Sequence, residues 1–313
     1  MKKILFTRRL IKSNEEYALK IFNVKLNEED KLLTEDELIK KSKDWRRADL
    51  PEPILVAHQP EFLPWLSYIS KATMGDVYFI LDTVQFEKED FQNRNKIRIK
   101  NSLGWQWLTL PILLGKKKLI NLSEIKIDDK VEWKQKHLKS IKLSYGKTPY
   151  FDEIYPEIEK IYNKFDGVFL VEFVVSLIKY AFNKFDINIP IYRTSELKNL
   201  GFDLDGKKSD LVIEMCKAVG AKSFVFGQYG HAYIEKEKFY NHNIKAVFQK
   251  FDHPTYSQNH GEFIPKMSFI DLLFNHGNNS VEILKKSYYE KECLKEISQK
   301  VLTVFNNYIL TIE

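Results

Sequence analysis

The sequence predicts an α/β protein with a mainly parallel sheet flanked by helices, a short antiparallel meander and a helical carboxyl-terminal part. Three observations predict it. Short continuous apolar runs, Ile54-Leu55-Val56-Ala57 and Val77 to Leu81, have the profile of strands covered on both faces. Strand, helix and strand then follow one another within about thirty residues, the length of a βαβ unit. Beyond residue 188 the alternation returns, with apolar runs at 189–192, 223–226 and 244–248 separated by helical patterns.

Residues 1–50 are charged and lack a long buried pattern, so they are expected to form an appendage, with one helix opened by Thr34 and Glu37 at capping-box spacing. Pro51 and Pro53 mark the start of the main domain, residues 51–313. Its first strand leads through a Pro-containing turn to a helix over 63–73, then past Gly75-Asp76 to the second strand. Open parallel sheets bind ligands beyond the carboxyl ends of their strands. His58 and Asp82 stand at those two ends.

Runs at 96–100, 105–112 and 119–127, separated by Asn101 to Gly104 and by Gly115 to Lys118, predict the meander. Helical stripes follow. Val131, Leu138, Ile141 and Tyr145 share a face, as do Phe151, Ile154, Tyr155, Ile158 and Tyr162, and a broader stripe runs from Phe169 to Ile178. Residues 209–219 form another helix, with Leu211, Met215 and Cys216 on one face. The segment 269–274 and the last twenty-five residues close the fold with helices.

The 313 residues are 44% hydrophobic and 29% charged, which excludes disorder. A net charge of +6 against 49 basic and 43 acidic side chains is a weak argument for a nucleic-acid partner. Two cysteines, Cys216 and Cys293, are too few for a disulfide framework or a thiolate cage. Asp252, His253 and His260 share a loop, but not at metal-ligand spacing, so no metal is expected. No run has the length of a signal-peptide core or a membrane span, and the expected location is the cytoplasm.

Residues 57–108 carry the chemistry. Three of the five tryptophans, Trp65, Trp105 and Trp107, lie there, interleaved with His58, Gln59, Gln85, Gln92, Asn93 and Asn95. Polar groups set among aromatics line pockets for small polar ligands, whereas a solvated face would be Lys and Glu alone. Arginine is scarce in the chain, so Arg94, with its planar fork, and Lys88 are the candidates for holding a phosphate or carboxylate. Asp82 is a candidate base, and His58 a base or oxyanion donor. Gln59, Trp65, Tyr68, Gln85, Asn93, Asn95 and Trp107 complete the lining, and Gln228 joins them from the Gly227-Gln228-Tyr229-Gly230 loop. Asn93 and Asn95 have an alternative role in bonding loop backbone.

The series His58-Gln59-Pro60, Phe62, Pro64-Trp65, Tyr68, Asp76-Val77, Leu81-Asp82, Val84-Gln85-Phe86, Lys88, Asn93-Arg94-Asn95, Trp107-Leu108 and Pro111 resembles the WbqC-like family. Agreement continues through Arg193 to Leu197 and Ser268 to Leu273, and Ser67 departs from the Gly usual there. The resemblance implies a role in making bacterial surface polysaccharide such as O-antigen, by transfer of an aminoacyl group such as glycyl to a nucleotide-linked amino sugar. The cofactor is left open, ATP and an activated acyl donor being the two candidates. Gly75 to Ile80 with Val84-Gln85-Phe86 is also similar in layout to pantothenate synthetases, but the paired histidines of those enzymes are missing. The alternatives are a non-catalytic binder of sugar nucleotides or glycan precursors, and a single-stranded RNA binder using residues 88–100 with Trp105 and Trp107. Neither a membrane nor a nucleic-acid partner is the expectation.

Overall fold

The computed structural model describes residues 3–5, 23–25, 53–114, 120–232 and 234–287. It divides into two compact units, residues 1–52 and 53–313. In the first, β1 (Lys3–Leu5) pairs in parallel with β2 (Asn23–Lys25). The helix expected from Thr34, the lysine turn at 116–118, Cys293 and the last twenty-five residues lie outside the described residues.

The second unit is built on a five-stranded parallel sheet made of β3 (Ile54–His58), β4 (Val77–Ile80), β9 (Ile191–Arg193), β10 (Ser223–Phe226) and β11 (Lys245–Phe248). Their order is β11-β10-β3-β4-β9. The fold class is the one the apolar runs predict, because a strand buried on both faces has no need of polar alternation.

Side chains alternate between two apolar layers, as a period of two demands. Val56, Tyr78, Ile80 and Val225 pack into a large core with α1 (Leu66–Ala72), α2 (Trp133–Tyr145), α3 (Phe151–Lys164), α4 (Leu170–Lys184), α8 (Phe269–His276) and α9 (Ser280–Lys285). Leu55, Ala57, Phe79, Phe224 and Phe226 face the other way, against α5 (Thr194–Asn199), α6 (Ser209–Val219) and α7 (Lys236–Asn241). Cys216 is fully buried in that second layer, and burial pushes its thiol up to about 12.

The crossover from β3 to β4 passes through α1 on one face, and that from β10 to β11 passes through α7 on the other. Neighbouring strands β3 and β10 therefore send their loops to opposite sides, which opens a crevice at their carboxyl ends. His58 ends β3, and Gly227-Gln228 follows β10.

The antiparallel part consists of two separate pairs. β5 (Arg94–Arg98) pairs with β6 (Trp105–Thr109), and β7 (Ile112–Leu113) with β8 (Lys126–Ile127). Pro111 has no N–H to continue a ladder, and residues 122–124 turn into a 3-10 helix. The helix expected over 63–73 begins only at Leu66, because Pro64 restricts its predecessor and Leu63 sits at φ 45°.

Candidate functional site

The loop from Gln59 to Trp65 shapes the site. Phe62 N donates to Phe91 O at 2.9 Å, and Asn95 Nδ2 donates to the carbonyls of Phe62 and Leu63 at 3.1 and 2.8 Å. These bonds hold Leu63 in a left-handed conformation that leucine disfavours, and such strain persists only where surroundings over-determine it. Gln92 Nε2 donates to Gln59 Oε1 at 2.5 Å, fixing the start of the loop. At the far end Gln249, just past β11, accepts a long bond from Ser67 Oγ and donates to Ser67 O at 2.9 Å. Ser67 thus has a polar partner.

Within this frame His58 meets two charged residues outside the sequence-predicted set, Glu61 and Lys71. His58 Nδ1 lies 3.0 Å from Gln59 O and 3.9 Å from Glu61 Oε1. A carbonyl only accepts, so Nδ1 carries the proton and Nε2 keeps its lone pair. The ring stands edge-on to Tyr68 at 4.8 Å, with 34% of the side chain still open to solvent. Its surroundings, and then the Lys71 ammonium, pull the imidazole well below its ordinary value, so it is neutral at physiological pH.

Glu61 and Lys71 are buried. Burial first, and Asp90 second, raise Glu61 to about 8, against the pull of Lys71. Burial lowers Lys71 to about 7, against the pull of Glu61. Lys71 Nζ donates to Ala57 O at 2.8 Å, while Glu61 Oε2 has no hydrogen-bond partner. Below them the hydroxyls of Tyr68 and Tyr78 are buried, and burial raises both well above the usual phenol value. Buried ionisable groups with opposed shifts beside a strand end mark functional sites more often than chance.

The other predicted residues fall into separate places. Asp82 is fully buried two residues beyond β4 and serves the start of α5. Its Oδ1 accepts from Thr194 Oγ1 at 2.9 Å and Ser195 N at 2.8 Å; its Oδ2 accepts from Arg193 Nε at 2.8 Å and Ser195 Oγ at 2.5 Å. With four donors on two oxygens, this carboxylate is committed to joining β4, β9 and α5. Asn93 and Asn95 are buried and commit their amide N–H groups to backbone carbonyls, Asn93 to Leu110 O at 3.0 Å. Gln85, Lys88 and Gln228 are exposed. Arg94, Trp65 and Trp107 belong to a cation-aromatic surface, with Arg94 Cζ 4.4 Å above the Trp107 ring and Lys266 Nζ 5.7 Å from the Trp65 ring.

Asp271, in the first turn of α8, turns inward. It accepts from Tyr145 and Tyr256 hydroxyls at 3.0 and 2.9 Å and from Gln258 Nε2 at 2.8 Å. Burial raises it to about 6. His253 Nε2 accepts from Lys266 N at 3.0 Å, and His260 Nε2 lies 2.7 Å from Ser144 O. Among the described residues no group of three or more His, Cys, Asp or Glu side chains could hold a metal ion, and no helix is long and apolar enough to cross a membrane.

Fold and site together define an α/β parallel-sheet protein with a polar cluster at the carboxyl end of β3, the strand next to which the sheet order reverses. The sequence of residues 59–283 matches the WbqC-like protein family, and the chain belongs to that family. A curated relative, the uncharacterized protein Rv1507c of Mycobacterium tuberculosis, is 26% identical over 228 residues, covering 72% of this chain and 95% of the relative. No solved structure matches.

Proposed function

We propose that this chain is a cytoplasmic transferase of surface polysaccharide (O-antigen) synthesis, passing an activated acyl group, aminoacyl in the first instance, to the amine of a nucleotide-linked amino sugar. The observation that carries this reading is the neutral His58, whose Nε2 keeps its lone pair, set 3.9 Å from a buried carboxyl group that burial pushes up to about 8. The polysaccharide synthesis that the family resemblance implies supports the substrate class.

The chemistry balances on these residues. The amine nitrogen attacks the carbonyl carbon of the acyl donor, a thioester or mixed anhydride, and its proton moves to His58 Nε2. The new C–N bond forms, the bond from carbon to leaving group breaks, and the leaving group takes the proton back from Nε2. Glu61, on the Nδ1 side of the ring, stabilises the imidazolium between these two transfers in its ionised form, which gains population as pH rises toward about 8. Lys71, bonded to Ala57 O, holds the end of β3 beneath them. Asp82, its oxygens fully engaged, fixes the neighbouring strand end in place of acting as the base.

The test is incubation of the pure chain with a panel of acyl donors and amino-sugar nucleotides, read by mass spectrometry. One donor and one acceptor give an amide product, and the product is lost with His58→Asn. Absence of any mass gain across a broad panel overturns the reading.

A further inference from the structure

The outer face of the β5–β6 hairpin carries an unneutralised row of cations and indoles. Along β5 the side chains alternate: Asn95 and Ile97 are fully buried, while Arg94 and Lys96 point outward. Opposite them on β6, Lys96 pairs with Trp107 and Arg98 with Trp105. Lys96 Nζ stands 4.3 Å from the Trp105 ring and 5.2 Å from Trp107, and Arg94 lies over Trp107. Lys266, beside Trp65, comes close enough that, after burial, its charge helps lower the Lys96 ammonium.

None of Arg94, Lys96 and Lys266 has a carboxylate at ion-pair distance among the described residues; Arg94 donates one N–H, from Nη2, to the neutral Glu89 carbonyl at 2.5 Å, and its Nε is buried without a partner. Cations gathered with no counter-ion repel one another, and an anion in their midst relieves that repulsion. Both ends of the row are acidic. Glu87, Glu89 and Asp90 are exposed just before Arg94, and Glu262 is exposed in the segment whose carbonyl accepts from Arg98 Nη2. At about 3.4 Å per residue the row spans roughly 13 Å, room for one short anion with an attached ring. Carboxylates at its ends disfavour a longer polyanion.

We propose that this face is the site for the nucleoside diphosphate of a sugar nucleotide, its phosphates against Arg94, Lys96 and Lys266 and its base stacked on one indole of the edge-to-face Trp105–Trp107 pair. The inference rests on the reading of the substrate as a nucleotide-linked sugar and deepens it by locating the nucleotide.

The experiment is calorimetric titration of the full chain with UDP, dTDP, CDP and GDP, and with inorganic pyrophosphate and oligo(U) in parallel. At least one nucleoside diphosphate binds about tenfold or more tightly than pyrophosphate, the added affinity coming from stacking. Lys96→Ala and Trp107→Ala each weaken it about tenfold in protein that still unfolds cooperatively, and Trp107→Phe recovers part of the loss. No nucleotide binding, binding indifferent to Lys96→Ala and Trp107→Ala, or a preference for oligo(U) overturns the site. If diphosphates bind here and no acyl transfer occurs, the reaction falls and the site stands. If transfer proceeds and those two variants leave KM for the nucleotide sugar unchanged, the site falls and the reaction stands.

Discussion

Glu61 presents Oε1 to His58 Nδ1 at 3.9 Å while its other oxygen is buried with no partner. This carboxyl group is held protonated by its surroundings up to about pH 8. If its ionised form is the one that supports His58, kcat/KM rises with pH through an inflection near 8. Glu61→Gln abolishes that inflection. A pH–rate profile of the two proteins checks it, and an inflection that survives the substitution contradicts it.

The same shift has a consequence for stability. A folded value raised from 4.5 to about 8 contributes stability that is whole below pH 4.5 and is lost as pH rises through about 8. The melting temperature of the parent therefore falls more steeply between about pH 5 and 8 than that of Glu61→Gln, and the difference in slope disappears above that range. Parallel slopes in calorimetric scans would refute the buried, unpaired carboxyl.

Asp82 joins Arg193, Thr194 and Ser195 from a fully buried position. Asp82→Ala strands a partly buried guanidinium and three further donors, and costs about 3–5 kcal/mol of unfolding free energy. Asp82→Asn keeps an acceptor and costs less, about 1–3 kcal/mol. Urea denaturation measures both, and a change under about 0.5 kcal/mol for the alanine variant contradicts the structural role of the carboxylate.

Much of the fold is legible in the sequence. The sheet strands are visible because each is an apolar run bounded by turn residues, and that pattern alone places Asp82 and His58 at strand ends. Glu61 and Lys71 escape it. A lone charge in Pro60-Glu61-Phe62-Leu63-Pro64, or in Tyr68-Ile69-Ser70-Lys71-Ala72, resembles the solvated position of an amphipathic stretch. The available signal is that the helical segment is short and lies between two strands covered on both faces, which leaves little open face for a lysine. Asn95 is expected in the lining because asparagines among aromatics suggest a pocket. Strand alternation turns it inward, with Lys96 outward, because β5 begins at Arg94.

Asn95 also carries a prediction. Its amide donates to the carbonyls of Phe62 and Leu63, which belong to the peptide units on either side of a left-handed leucine. Asn95→Ala leaves two buried carbonyls short of a donor and destabilises the chain by about 1–3 kcal/mol. Leu63→Gly removes the steric penalty at positive φ but also a fully buried side chain, so it is itself destabilising, and in its background Asn95→Ala costs less than it does in the parent. Additive denaturation energies in the double-mutant cycle would show the two are not coupled.

The most direct test of acyl transfer is the rate of amide formation, per folded molecule, by the parent chain, His58→Asn and Asp82→Asn. His58→Asn is expected to lose about 10²–10⁴-fold in kcat. Asp82→Asn, less stable but folded, is expected to stay within about threefold of the parent. The reverse result, a folded Asp82→Asn without activity beside a fully active His58→Asn, contradicts His58 as the base.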